Sequence, residues 1–286
     1  MGSTATLLSD GKRLHLQHGP IDLVIGADGT RDTAFEAARD RFETILDELV
    51  AELPELRATI SPLSRRPNGA VARRMHDAAM QFRKSGYLTR MAAVAGSVAD
   101  EVLRAMTDAT ELRRAYVNNG GDIAFHLEGS ERFTAAMMNH NGSLLGQITV
   151  TTKDAVRGIA TSGRHGRSLS LGIADSVTVL ASSAAEADVA ATLIANAINL
   201  PDHPAIKRRP ASEIDDDSDL GDIPVVIECN ALSQSDCADA LKSGYDRAMS
   251  YVQHTSISGA ALFLQDYAVA TKGHLLSIQN KEEHYA

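Results

Sequence analysis

Cysteine is scarce: the 286 residues include two, Cys229 and Cys237. That is too few for a disulfide framework, and neither sits in a CxxC pair or at metal-ligand spacing from a histidine, so a reducing compartment is expected. Long hydrophobic runs are missing as well. No segment approaches the roughly 20 apolar residues that span a bilayer. Residues 1–10 contain neither a basic region leading into an apolar stretch nor a lipidation cysteine. The expectation is a cytoplasmic protein with no membrane partner. Positive charge is also short, with 28 Lys+Arg against 37 Asp+Glu and a formal net charge of -9. The basic runs, Arg65-Arg66 with Arg73-Arg74 and Lys207-Arg208-Arg209, are brief. Nucleic-acid binding driven by the phosphate backbone needs clustered cations, so no nucleic-acid partner is expected. HExxH, GxSxG and phosphate-loop motifs are absent, which weakens the reaction classes they serve.

Apolar residues make up 44% of the chain, enough for a large core. Alternation over 13–17, a Gly19-Pro20 breaker and renewed alternation over 21–25 predict a β-hairpin. Phe35, Phe42, Ile45, Leu46, Leu49 and Leu53 recur at helical intervals and stop before Pro54, predicting an amphipathic helix from Asp32. Helices are also expected over 71–82, 91–106, 184–198 and 236–252. Strands are expected over 116–119 and 122–125 around a glycine pair, and over 144–151, 176–180, 224–228, 261–268 and 274–278. The irregular alternation favours α+β over a doubly wound sheet. Residues 201–222 hold three prolines and the run Asp215-Asp216-Asp217, and should form an exposed loop or insertion.

Three segments could carry chemistry. Ser183 and Glu186 fit a capping box, which starts a helix at Ser183 and places Asp188 past its first turn. Asp188 and Thr192 then share one helix face among small residues, two hard oxygen ligands of the kind Mg²⁺ takes. The alternative is a carboxylate bonded to the amides of a neighbouring loop, with Thr192 bonding its own helix carbonyl. Asn118-Asn119-Gly120-Gly121-Asp122 offers open backbone for a ligand, or an ordinary turn. Thr161-Ser162-Gly163-Arg164-His165-Gly166-Arg167-Ser168 combines hydroxyls, glycines and arginines, suited to an anion or to a plain connector.

In this order, the segments 91–100, 117–123 and 158–192 resemble the ApbE-like superfamily, whose best-known members are FAD:protein FMN transferases. The resemblance is strongest to its uncharacterised short-loop bacterial and archaeal branch. It implies a T-fold-like mixed sheet with covering helices, one compact unit over 11–286, and a flexible 1–10. It also implies a Mg²⁺ site, because Glu186-Ala187-Asp188-Val189-Ala190-Ala191-Thr192 follows the family's metal helix and Ala93 is the rough counterpart of its carbonyl ligand. Gly120 and Gly121 match the glycine pair beside the flavin, FAD or FMN. Two departures stand against FMN transfer. Ala93-Val94-Ala95-Gly96 lacks the family lysine, and the loop 164–175 is too short for the family's histidine motif, leaving His165 as a stand-in.

These residues support a Mg²⁺-assisted transferase or hydrolase acting on a flavin or nucleotide phosphate or a small anion. Asp188 and Thr192 would hold metal, and Arg164, Arg167 and His165 would handle the anion. A non-catalytic flavin- or small-acid-binding protein is one alternative; a metal-free catabolic enzyme using His165 or Asp122 is another. A small-molecule ligand and a homodimer are the expected partners.

Overall fold

The hairpin predicted around Gly19-Pro20 is the seed of the first sheet. Leu14 and Leu16 on one strand and Ile21, Leu23 and Ile25 on the next point inward, and Leu16 pairs with Leu23 across the ladder. The computed structural model describes residues 2–271, 273 and 276–278. In chain order the elements are β1 (Thr4–Leu7), β2 (Arg13–His18), β3 (Ile21–Gly29), α1 (Arg31–Ala51), α2 (Leu53–Arg57), α3 (Ala70–Gln81) and α4 (Val94–Ala109). Next come β4 (Leu112–Asn119), β5 (Asp122–Leu127), β6 (Arg132–Met138), β7 (Leu144–Thr151), β8 (Gly158–Ser162), β9 (Ser176–Ala181) and α5 (Ala184–Ala197). The chain continues through β10 (Ile206–Pro210), β11 (Pro224–Cys229), α6 (Gln234–His254), β12 (Ile257–Leu264), β13 (Tyr267–Ala270) and β14 (Leu276–Ile278). The α+β class holds.

Contacts divide the chain into two units, the first made of residues 1–133, 150–160 and 180–189 and the second of the remainder. In the first unit the strands lie in the order β1-β2-β3-β4-β5-β8, each antiparallel to its neighbour. Helices α1 and α4 pack on this sheet and on each other, and α3 packs on α4. Phe42, Ile45, Met75, Val98, Val102 and Met106 fill the space between, all fully buried. Each such side chain contributes about 1.5–3 kcal/mol through the water it sheds. In the second unit α6 lies on the β12–β13 hairpin, β9 neighbours β12, and β10-β11 and β14-β7-β6 form two small sheets.

Several sequence expectations shift by identifiable causes. Helix α1 ends at Ala51, and Pro54 instead sits in the first turn of α2, where its missing N–H removes no helix bond. The expected 91–106 helix begins with a 3₁₀ turn, Arg90–Ala93, before α4. The strand expected over 261–268 is two strands, because Gln265 takes a left-handed φ of 51° and turns the chain. Within 1–10, Thr4–Leu7 pairs with β2. Within 201–222, Ile206–Pro210 forms a bulged ribbon with β11. His274 and Leu275 of the expected last strand lie outside the described residues.

Candidate functional site

In the first unit the site forms where α4 and α5 begin. Gly96 and Gly158 make the approach feasible: a Cβ on Gly96 would stand 2.3 Å from the Ala184 carbonyl oxygen, and one on Gly158 2.2 Å from the Ala184 nitrogen. With the backbones this close, each helix lends a carboxylate to the other. Asp188 of α5 accepts the Gly96 amide at 3.0 Å. Asp100 of α4 accepts the amides of Ala184 and Ala185 at 3.1 and 2.9 Å. The unpaired N–H groups of a helix start attract negative charge, so the arrangement satisfies donors that would otherwise be orphaned. Half of the expected capping box forms, with Ser183 Oγ accepting the Glu186 amide at 3.3 Å. The Glu186 carboxylate turns instead to Ser182 Oγ and to Gln81 Nε2.

The β4–β5 hairpin supplies the rest. Gly120 and Gly121 adopt φ of 66° and 114°, the left-handed pair that a two-residue turn requires. Asn118 Oδ1 accepts the Gly121 amide at 2.9 Å. Buried Asn119 donates through Nδ2 to the Ala95 carbonyl at 3.1 Å, tying the hairpin to the start of α4. Asp122 lies close enough to Asp188 to act on its charge.

Electrostatics make this corner unusual. Burial and then the charge of Asp122 push the Asp188 carboxyl well above the ordinary range, against the opposing pull of the Gly96 and Ala95 amides. Burial likewise raises Asp100 to about 6, although the Ala185 and Ala184 amides lower it. Ala93 is buried in the 3₁₀ turn just before α4, and Thr192 lies one turn beyond Asp188 on α5. A carboxylate oxygen is a hard donor, and a crowded, poorly solvated carboxylate gains from a divalent cation, so Asp188 fits Mg²⁺. Among the described residues, no group of three or more His, Cys, Asp or Glu side chains is arranged to hold a metal.

In the second unit the residues after β8 organise around a carboxylate absent from the sequence expectations, Asp175. Its Oδ1 accepts Arg164 Nε at 2.9 Å and Nη2 at 2.7 Å, and His165 Nε2 at 3.1 Å. Its Oδ2 accepts the Gln265 amide. The backbone is fixed as well, by Arg164 N–H to the Ala174 carbonyl and Asp175 N–H to the Phe263 carbonyl. The His140 ring stacks on His165 at 3.9 Å. Thr161 Oγ1 lies 3.0 Å from Thr178 Oγ1. Gly163 is required where a Cβ would meet the Asp175 carbonyl oxygen at 2.4 Å. Ser162 is half-buried in β8, and Arg167 and Ser168 are exposed. Burial raises both cysteine thiols, Cys237 to about 11, so both remain protonated at neutral pH. Asp100 and Asp175 were not legible in advance: each reads as an ordinary acidic residue until its long-range amide partners are known.

A family model described as AbpE bacteria matches residues 5–275. Among curated relatives, a UPF0280 protein of Methanothermobacter thermautotrophicus is 34% identical over 159 residues, 55% of this chain and 59% of that protein. A UPF0280 protein of Methanopyrus kandleri is 33% identical over 210 residues, 72% of this chain and 83% of that one. The chain thus spans less than two thirds of the first relative's length. Two crystal structures share the fold: the ApbE protein of Thermotoga maritima, with TM-score 0.53 and 10% identity over 95% of this chain and 97% of that one, and the flavin transferase ApbE of Vibrio cholerae, with TM-score 0.51 and 12% identity over 94% and 98%.

Proposed function

Because the chain belongs to the AbpE bacteria family, we propose that it is a Mg²⁺-assisted enzyme acting on a flavin or nucleotide phosphate, or another small anionic substrate, at the start of α4. The observation that carries this reading is the crowding of Asp188 by burial and by Asp122. The Gly96 and Ala95 amides would be served as well by a neutral oxygen, so a carboxylate held this way without a cation lowers stability. Bound Mg²⁺ would supply charge neutralisation to a phosphate or carboxylate. The chain's own residues do the rest. Gly96 and Ala95 orient Asp188, and Asn119 fixes the start of α4. At Gly121 an added Cβ would meet nothing within 4 Å, so the hairpin offers open backbone to a planar ligand. FAD and FMN are the flavin candidates, since flavin transfer is the activity named for the Vibrio cholerae protein of similar fold.

FMN transfer to a protein is not part of the proposal, because Ala95-Gly96 occupies the position of the expected lysine. The same substitution favours a second reading, a flavin- or small-acid-binding protein without turnover. Thermal unfolding with and without Mg²⁺, against FAD, FMN, nucleotides and small carboxylic acids, separates the two. A ligand bound only by the folded state raises the midpoint by RT ln(1 + [L]/Kd) in free energy. A Mg²⁺-dependent flavin shift that disappears in Asp188→Ala, together with product formation, supports the enzyme. A shift without product supports the binder, and no response to Mg²⁺ or to any ligand of the panel overturns both.

A further inference from the structure

The second unit holds a polar constellation that the metal reading does not use. Asp175 is 11% exposed, His165 27% and Arg164 19% as side chains. A carboxylate oxygen can only accept, so the 3.1 Å contact from His165 Nε2 to Asp175 Oδ1 places the ring proton on Nε2. Nδ1 is then a bare lone pair, and among the described residues it has no hydrogen-bond partner. Arg164 gives Nε and Nη2 to the same carboxylate, and its Nη1 is likewise unengaged. The carboxylate itself cannot swing away, because the Gln265 amide fixes its second oxygen.

We propose that Arg164, His165 and Asp175 form a proton-accepting site: Asp175 holds the imidazole with its proton on Nε2, Arg164 Nη1 binds a small anion, and Nδ1 takes the proton of a hydroxyl, from water or from the anion's own alcohol group. In that step the O–H bond breaks and an N–H bond forms at Nδ1. The resulting imidazolium is neutralised by Asp175 and returns its proton to solvent. The groups facing the ring agree with this role. Burial, then the charges of Arg164 and His140, lower the His165 pKa and outweigh Asp175, so the ring is neutral at neutral pH and its Nδ1 lone pair is available. The site requires no metal and stands independently of the function proposed above.

Imidazole ¹⁵N NMR of the uniformly labelled full chain tests it, with His165 assigned by the signals lost in His165→Gln. The expected wild-type result at neutral pH is a protonated Nε2 and an unprotonated Nδ1. Inorganic phosphate should shift the His165 signals saturably and raise the pH at which the ring titrates. Arg164→Gln should lose the phosphate response, and Asp175→Ala should mix the two tautomers. A protonated Nδ1 in the wild type, or wild-type His165 signals unmoved by phosphate, overturns the proposal, and both readings need only that His165→Gln, at a partly exposed position, keeps the other histidine signals in place. Asp188→Asn should leave the phosphate response intact. Its loss in that variant would assign the anion to the metal site and also overturn the proposal.

Discussion

Asp100 and Glu101 are neighbours on α4, yet their environments drive them in opposite directions. Glu101 is 1% exposed. Burial alone would raise its pKa, but hydrogen bonds from Arg104, Arg41 and Arg74 outweigh that and hold it at about 2. Its contribution to stability is therefore present above the ordinary glutamate value of 4.5 and is lost as pH falls toward about 2. Asp100 is raised from 3.8 to about 6, so its contribution is present below 3.8 and is lost as pH rises through about 6. Glu101→Gln should cost about 3 kcal/mol or more in urea unfolding at pH 7, since three guanidinium groups lose their buried counter-charge, and it should flatten the acid limb. Asp100→Asn should instead flatten the change in stability between pH 4 and pH 6. Asp188→Asn follows the Asp100 pattern: it removes a carboxylate that resists ionisation but keeps an oxygen for the Gly96 amide. The expected outcome is a higher metal-free midpoint at pH 7.5 by at least about 3 °C, with no response to Mg²⁺.

At the scale of elements, the crossing of α4 and α5 depends on one missing methyl group. Gly96→Ala forces a Cβ against the backbone of Ala184, so it should destabilise the protein by about 1–3 kcal/mol or more and weaken ligand binding in the same thermal assay. At Gly121 an added Cβ meets no neighbour, but the φ of 114° lies beyond the left-handed region that other residues adopt, so Gly121→Ala isolates backbone strain from crowding. It should cost about 1–3 kcal/mol, measured by denaturant titration, without the loss of α4–α5 contact expected of Gly96→Ala. Elements with strong periodicity were legible in the sequence: the β2–β3 hairpin, α1, α3, α5 and α6 follow their apolar spacing to within a few residues. The β12–β13 turn was hidden because it uses Gln265-Asp266 rather than Gly or Pro. Strand β10 was hidden because Lys207-Arg208-Arg209-Pro210 has the composition of a linker. Of the candidate site, Asp188, Asn119 and Asp122 were readable from local pattern. Asp100 and Asp175 were not, because their partners lie far away in sequence and only folding brings them together.

Over the whole molecule, 37 acidic residues against 28 basic ones leave a surplus of negative charge, and the first unit sets two of those carboxylates, Asp100 and Asp188, at two helix starts. No helix among the described residues is long and apolar enough to cross a membrane. Among the described residues the outermost strand, β1, is exposed along its whole length and has one unpaired edge, a template for a second strand. A homodimer is therefore expected. Sedimentation equilibrium should return twice the 30.5 kDa chain mass, and Ala5→Pro, which removes an N–H pointing away from β2, should shift the population toward monomer without loss of the far-ultraviolet CD signal.

The exchange of carboxylates between α4 and α5 also has a bearing on synthesis. The partners are separated by 84 residues in one direction and 92 in the other. As the chain leaves the ribosome, α4 emerges with open amides and cannot be finished locally. Closure waits for residue 188 to clear the exit tunnel, which places the decisive event of first-unit folding late in translation. A nascent chain stalled near residue 175, with the β1–β5 ladder clear of the tunnel, should thus remain sensitive to protease at α4, and one stalled beyond residue 230 should be protected there.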